Sequence, residues 1–215
     1  MTRLIIVRHG QSMANLEDRF AGQKYDAELS TLGHKQAELT AKYIEGNYKV
    51  DKVYASDLKR AYATGQHIAE ALGFDEVTKT TGMREIYAGK WEGMKFDEID
   101  LVYTDEFRKW KTDIGVSGCT GGETVEELFV RVSKAITEIA EENPDKTVAI
   151  ATHATPIRVF ECMCRGMKRE DMKDIPWVSN ASVTVAEYEN GKFRLISVSE
   201  DSHLGSIKTA LPKNV

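Results

Sequence analysis

TVAIATH, residues 147–153, is the stretch that decides the fold. Val148, Ala149, Ile150 and Ala151 run on without a polar interruption. A strand with one wet face alternates apolar and polar residues, so an unbroken run of this length reads as a strand buried on both faces. Sheets covered on both sides are built mainly from parallel strands joined by helices. RLIIV, residues 3–7, has the same character at the other end of the chain.

Working outward from these two runs, helical and strand patterns alternate. Residues 30–46, STLGHKQAELTAKYIEG, read as a helix stopping at Gly46. VDKVYAS (50–56) reads as a strand, with Ser56 a candidate N-cap for the helix that follows. In that helix Leu58, Ala61, Gly65, Ile68 and Leu72 share one face, and Gly73 ends it. EVTKTTGMRE (76–85) is expected to be a third strand running into a loop. FDEIDLVYTDEFRKW is expected to be helical, within an insertion at about 94–120. Thr124 opens a helix with Leu128, Val132, Ala135 and Ile139 on one face, stopped by Asn143 and Pro144. Residues 155–167, with Pro156 in the first turn, read as a further helix. Asn190-Gly191 in SVTVAEYENGKFRLISVSE (182–200) signals a hairpin. The expectation is a single α/β domain over residues 1–215: three layers, α/β/α, with a mainly parallel sheet and a C-terminal antiparallel hairpin. The tail from Asp201 carries no clear pattern.

With 41% hydrophobic and 29% charged residues the 215-residue chain has the composition of a globular protein. A net charge of −5 gives no footprint for nucleic acid or a membrane surface, and no apolar run approaches a membrane span. The N-terminal apolar run is too short for a secretory signal. Cys119, Cys162 and Cys164 leave an odd thiol and no disulfide framework, so buried thiols in a cytoplasmic protein are expected.

Ligands of doubly covered sheets bind at the carboxyl ends of the strands. His9 and His153 both stand there, and Arg8 precedes His9. A fixed cation beside His9 disfavours a divalent metal and favours an anion, since guanidinium donors match phosphate oxygens. Gly10 is expected to let that ligand approach the backbone. AGKWEG has Trp91 where a nucleotide-binding loop needs Ser or Thr, so a bound nucleotide is not indicated. His34, His67 and His203 are expected to be plain surface residues.

RHGQSMAN (8–15), ASDLKRAYAT (55–64), REIYAGKWEG (84–93), GGET (121–124) and ATHATPIR (151–158) occur in an order that resembles the histidine phosphatase superfamily, in its phosphoglycerate-mutase-like branch (branch 1). The resemblance spans residue 3 to about residue 200. It implies a phosphoglycerate mutase-like fold and a metal-independent reaction in which His9 takes the phosphoryl group as phosphohistidine. It also implies that Arg8, Arg60 and His153 hold the equatorial oxygens, and that Glu85 protonates the leaving oxygen and then activates water, with Glu92 the alternative acid. Such roles match what phosphoryl transfer needs: cations around three charged oxygens and an acid at the apex. The surrounding arginines are expected to hold Glu85 ionised in the free enzyme, with protonation arriving alongside the substrate.

Ser12, Asn15, Gly22, Tyr87 and Ala154 are expected to border the substrate, a small phosphorylated metabolite. No cofactor and no metal are expected, and the chain is expected to be a monomer or homodimer. Tyr25, Tyr87, Trp91 and Tyr103 are aromatic candidates either for the core or for the substrate's flank. Two departures from the mutases favour a phosphatase. IYAGKWEG follows the acid, and the 94–120 segment offers Arg108, Lys109 and Lys111 rather than an adjacent arginine pair. Phosphoglycerate mutase-type transfer and a non-catalytic phosphate-binding protein remain the alternatives. Ala154 stands where the family usually has glycine after the histidine.

Overall fold

In the computed structural model, which describes residues 1–210, the sheet has six strands in the order β3-β2-β4-β1-β5-β6. They are β1 (Thr2–Arg8), β2 (Lys52–Ser56), β3 (Thr78–Thr80), β4 (Thr147–Thr152), β5 (Val183–Glu189) and β6 (Lys192–Glu200). The helices are α1 (Met13–Leu16), α2 (Thr31–Asn47), α3 (Lys59–Ala71), α4 (Phe96–Val102), α5 (Thr104–Thr112), α6 (Val125–Glu142) and α7 (Ala154–Cys164). The first four strands of the sheet are parallel, and β5 and β6 run antiparallel at one edge. The two unbroken apolar runs are therefore neighbours, paired through Ile5–Ala149 and Val7–Ala151.

Alternate side chains of each strand enter opposite layers. Leu4, Ile6, Val148 and Ile150 pack under α6, α7 and the insertion, while Ile5, Val7, Val53 and Ala149 pack under α2 and α3. Leu4, Ile5, Ile6 and Val7 are all fully buried. At about 1.5–3 kcal/mol each, they give β1 roughly 6–12 kcal/mol of gross apolar burial. That is enough to hold the strand end, and hence Arg8 and His9, in one place.

Several local expectations change. α2 continues through Gly46 to Asn47, because a glycine in open space only weakens a helix that tertiary packing maintains. Ser56 is the last residue of β2, and the N-cap of α3 is Leu58, which makes no side-chain capping bond. The cap comes from afar: both carboxylate oxygens of Asp26 accept from the Lys59 N–H, at 2.9 and 3.2 Å. The third strand shrinks to Thr78–Thr80. At Gly82 a Cβ would lie 2.4 Å from that of Ala135, so α6 crosses there and turns the chain out of the sheet. Thr124 caps α6 with a reciprocal bond to Glu127, and Gly73, at φ +73°, follows the end of α3. Asn190 and Gly191 both have positive φ, as a tight hairpin turn requires.

The 94–120 segment forms α4, α5 and a 3-10 turn at Ile114–Val116. Its Phe107 and Trp110 are buried against Trp91, ring centroids 5.6 and 6.0 Å away, so it joins the main core. From Asp201 the chain turns back on α2, where Gln36 Nε2 donates to the Ile207 carbonyl. The last part of the expected 1–215 span, residues 211–215, lies outside the described residues. Among those described, no helix is long and apolar enough to cross a membrane. Cys119 and Cys162 are buried and Cys164 is half-buried, all three unpaired.

Candidate active site

The register Arg8–Thr152 sets the ends of β1 and β4 level, so the next residue on each strand is a histidine. His9 and His153 meet edge to face, ring centroids 5.2 Å apart. The first turn of α3 brings Arg60 to the same point, where its Nε donates to Nε2 of His9 at 3.3 Å. Nδ1 of His9 lies 2.7 Å from the Gly10 carbonyl. A carbonyl can only accept and a guanidinium can only donate, so Nδ1 carries the proton and Nε2 the lone pair.

Arg8, buried on the other side, donates from Nη1 to the Val178 carbonyl at 2.6 Å, and its Nε has no protein partner. Arg60 is tied down through Nη2 to the carbonyls of Ala21 and Gly22. Glu85 reaches in from the chain that leaves β3. Its Oε1 accepts from Ile86 N–H at 2.8 Å and its Oε2 from Thr155 N–H, in the first turn of α7, at 3.4 Å. Arg8, His9, Arg60, Glu85, Asn15 and Ala154 all line one cavity of about 80 Å³, room for several water molecules.

Burial pushes both imidazoles well below the ordinary histidine range, and Arg60 adds to the effect. Burial lowers Arg8 to about 10, which leaves it charged at neutral pH, and lowers Arg60 as well. Glu85 overturns the expectation of a depressed carboxylate. Arg60 does hold it down, but burial outweighs the arginine and the pKa stands above the ordinary value. The cavity wall thus combines the guanidinium groups of Arg8, Arg19 and Arg60, the neutral imidazole of His9 and a carboxyl group biased toward its protonated form; His153 is fully buried behind His9 and does not line it.

Glu92, the alternative acid, is accounted for elsewhere. Its carboxylate accepts from the backbone N–H groups of Gly22, Gln23, Tyr25 and Ala88, and it does not line the cavity. Three expected substrate contacts also lie off the wall. Ser12 is fully buried, capping α1 and bonding Asn15. Gly22 turns its carbonyl to Arg60 and leaves no space for a Cβ, which would sit 2.3 Å from Glu92 Oε1. Tyr87 lies outside beneath Lys24, whose Nζ is 4.9 Å from the ring centroid. Gly10 serves packing rather than a ligand: a Cβ there would meet the Gly33 carbonyl oxygen at 2.3 Å, where α2 begins.

Several contributors went unread in the sequence. Ser56 Oγ lies 2.8 Å from Nε2 of His153, while Nδ1 of His153 has no partner. The pairing of Ala55 with Ala151 puts Ser56 level with Thr152, so strand register was the signal that could have found it. Arg131 grips Glu123 and donates to the carbonyls of Gly82, Arg84 and Glu85, fixing the segment that carries Glu85. Asn180 bonds both the His9 carbonyl and Asn15. The aromatic wall consists of Phe20, Phe96, Trp110 and Trp177. Trp91 is core, and neither Tyr25 nor Tyr103 lines the cavity.

Residues 4–201 match the family model described as histidine phosphatase superfamily (branch 1). The chain belongs to that superfamily. This histidine phosphatase is 32% identical over 205 residues to phosphoserine phosphatase 1 of Hydrogenobacter thermophilus, covering 95% of each chain. Among solved structures, a mycobacterial glucosyl-3-phosphoglycerate phosphatase in complex with VO3 matches with TM-score 0.84 and 28% identity, over 92% of this chain and 98% of that one. A phosphoserine phosphatase of Entamoeba histolytica in complex with 3-phosphoglyceric acid matches with TM-score 0.80 and 29% identity, over 95% and 100%. The architecture is that of the phosphoglycerate mutase-like histidine phosphatases, and the chain is a phosphoric monoester hydrolase.

Proposed function

We propose that His9 attacks the phosphorus of a small phosphate monoester and that Glu85 is the proton donor. The carrying observation is the aim of His9. Its Nε2 lone pair is fixed by the Gly10 carbonyl on one side and Arg60 on the other, inside the cavity that also holds Arg8 and Glu85. A phosphate monoester brings a charge of about −1.5 to −2. Arg8 and Arg60 match it, and the unpartnered Nε of Arg8 suits one of its oxygens, while His153 stands behind His9 with its Nδ1 also unpartnered.

In the first step the Nε2–P bond forms and the ester P–O bond breaks, with the Glu85 proton going to the leaving oxygen. In the second, the Glu85 carboxylate takes a proton from water. The water oxygen bonds phosphorus, N–P breaks, and phosphate and neutral His9 are restored. Dividing the displacement in two is the advantage of a nitrogen nucleophile. The guanidinium groups supply the charge stabilisation that a metal gives in other phosphoryl-transfer sites.

The substrate reading is a compact phosphorylated metabolite, in keeping with relatives named for phosphoserine and glucosyl-3-phosphoglycerate. Water as acceptor fits the insertion: Arg108 pairs with Asp105 and Lys111 with Asp100, and none of Arg108, Lys109 and Lys111 lines the cavity. A second phosphate therefore meets none of these three cations, and Arg19, which does line the cavity, is already held by Glu17 and the Gly93 carbonyl. A cytoplasmic location is consistent with the three unpaired thiols. The test is turnover of p-nitrophenyl phosphate in EDTA, with rapid-quench trapping of an acid-labile phosphoprotein. Both signals should vanish in His9→Ala; turnover that needs added metal, or survives in His9→Ala, overturns the mechanism. A screen of phosphorylated small acids, with 3-phosphoglycerate plus 2,3-bisphosphoglycerate as the mutase assay, then fixes the substrate.

A further inference from the structure

Away from the cavity, α2 and α3 pack together over the face of the sheet formed by Ile5, Val7 and Val53. Their adjoining surfaces bring His34 against His67, with Nδ1 of His34 3.0 Å from Nε2 of His67. The ring centroids are 5.3 Å apart and the planes are inclined at 75°. His34 is exposed and His67 half-buried, and the proposed reaction uses neither. Two imidazoles this close share one proton when both are neutral, and repel when both are charged.

The same separation suits a shared cation. A tetrahedral ion holding two imidazole nitrogens at about 2.0–2.1 Å sets those nitrogens roughly 3.3 Å apart, with ring centroids about 5.2 Å apart. The rings already stand at that centroid distance. Tilting both rings, to open the nitrogens by about 0.3 Å and turn both lone pairs off the line between them, makes room for the ion. Glu38, one turn beyond His34, and Glu70, one turn beyond His67, both place favourable negative charge near His67. Among the described residues no third His, Cys, Asp or Glu joins the pair, so any ion there would have two protein ligands and water for the rest.

We propose that His34 and His67 form a two-histidine site for a late first-row divalent cation, Zn²⁺, Ni²⁺ or Cu²⁺, which clips α2 to α3. Imidazole donors select this class over Mg²⁺ and Ca²⁺. The clip has structural leverage. Gly33, the neighbour of His34, is the residue on which the Gly10–Gln11 backbone rests, and α3 carries Arg60 in its first turn. An ion bound only in the folded state stabilises it by mass action and ties α2, on which the Gly10 backbone rests, to α3, which carries Arg60.

The test is a calorimetric titration of the full chain with ZnCl2 and with NiCl2, paired with melting temperatures in each metal and in EDTA. Wild type should take up one equivalent and melt higher with either metal. His34→Ala and His67→Ala should each weaken binding by about tenfold or more, since each removes one of two protein ligands. Turnover in EDTA should be the same in His34→Ala as in wild type, because the His34 side chain is exposed and does not line the cavity. If His34→Ala binds zinc as tightly as wild type, the ion sits elsewhere, for instance on the buried His9–His153 pair, and the proposal fails. It fails equally if wild type shows neither heat nor a rise in melting temperature, or if MgCl2 reproduces the effect. His34→Ala decides the matter alone if His67→Ala does not fold.

Discussion

Replacing Glu85 by Gln separates its proton from its shape. The side chain keeps one oxygen, which can go on accepting from Ile86 N–H at 2.8 Å. The bond lost is the long one to Thr155 N–H, 3.4 Å, which meets an amide NH₂ instead. One weak bond is worth about 1 kcal/mol or less, so the variant folds. The carboxyl proton, by contrast, is worth about 10²–10⁴ in rate when the leaving oxygen is a poor one, or roughly 3–5 kcal/mol at the transition state. Stability should move the other way. Burial raises the Glu85 pKa, so its contribution is full below the ordinary carboxylate range and is lost as pH rises through the folded-state value. Glu85→Gln removes that loss, and the variant should be more stable than wild type at pH 8 while matching it in acid. The assays are kcat for a serine-like alkyl phosphate against kcat for p-nitrophenyl phosphate, whose phenolate leaves unaided, and urea midpoints at the two pH values. Equal losses on both substrates, or no loss on the alkyl ester, would refute the acid role. A variant less stable at pH 8 would refute the electrostatic reasoning.

Gly10→Ala puts a methyl carbon 2.3 Å from a backbone oxygen of α2; a loss of about 1–3 kcal/mol is expected, read as a lower urea midpoint, with Gly33→Ala similar. Ser56→Ala frees Nε2 of His153 from its only hydroxyl partner. About a tenfold fall in kcat is expected with a displaced acid limb in the pH–rate profile, and Ser56→Thr should recover much of it. His9 and His153 are both depressed, so the stability they confer is complete above about pH 6.5 and is lost as pH falls toward their folded-state values. Urea midpoints from pH 7.5 down to 5 should fall more steeply in wild type than in His153→Asn; parallel slopes would contradict the shift.

Much of this was legible because the site is made where backbone pattern and side-chain chemistry coincide. Unbroken apolar runs marked β1 and β4, and the second residue after each run is a histidine whatever the register. Arg60 and Glu85 could be named only through the family blocks, since by position one is a helix-surface arginine and the other one of two nearby acids. What failed were inferences from residue type to local role. Ser56 looked like a cap but ends a strand, because the cap of α3 comes from Asp26 in a distant loop. Gly10 looked like room for a ligand but is room for a helix. Phe20, Phe96, Trp110 and Trp177 had no marker, because only the packing of the insertion and of residues 172–178 turns their rings toward the cavity. Arg158 makes that packing, donating to the carbonyls of Met172 and Ile175 and stacking on Trp177 with its guanidinium 4.1 Å from the ring centroid.

The place of β1 in the sheet has a consequence during synthesis. Its two neighbours are β4 and β5, so β1 leaves the ribosome before either and cannot pair with them until residues beyond 147 have followed it. At about 5–20 residues per second, LIIV waits unpaired for roughly 7–30 s. Throughout that interval an apolar segment with two open edges is exposed to whatever else is nascent nearby, and His9 at its end stands apart from Arg60, Glu85 and His153. Cellular yield, then, should respond to chaperone supply and to translation speed through the middle of the message more than to the stability of the finished enzyme.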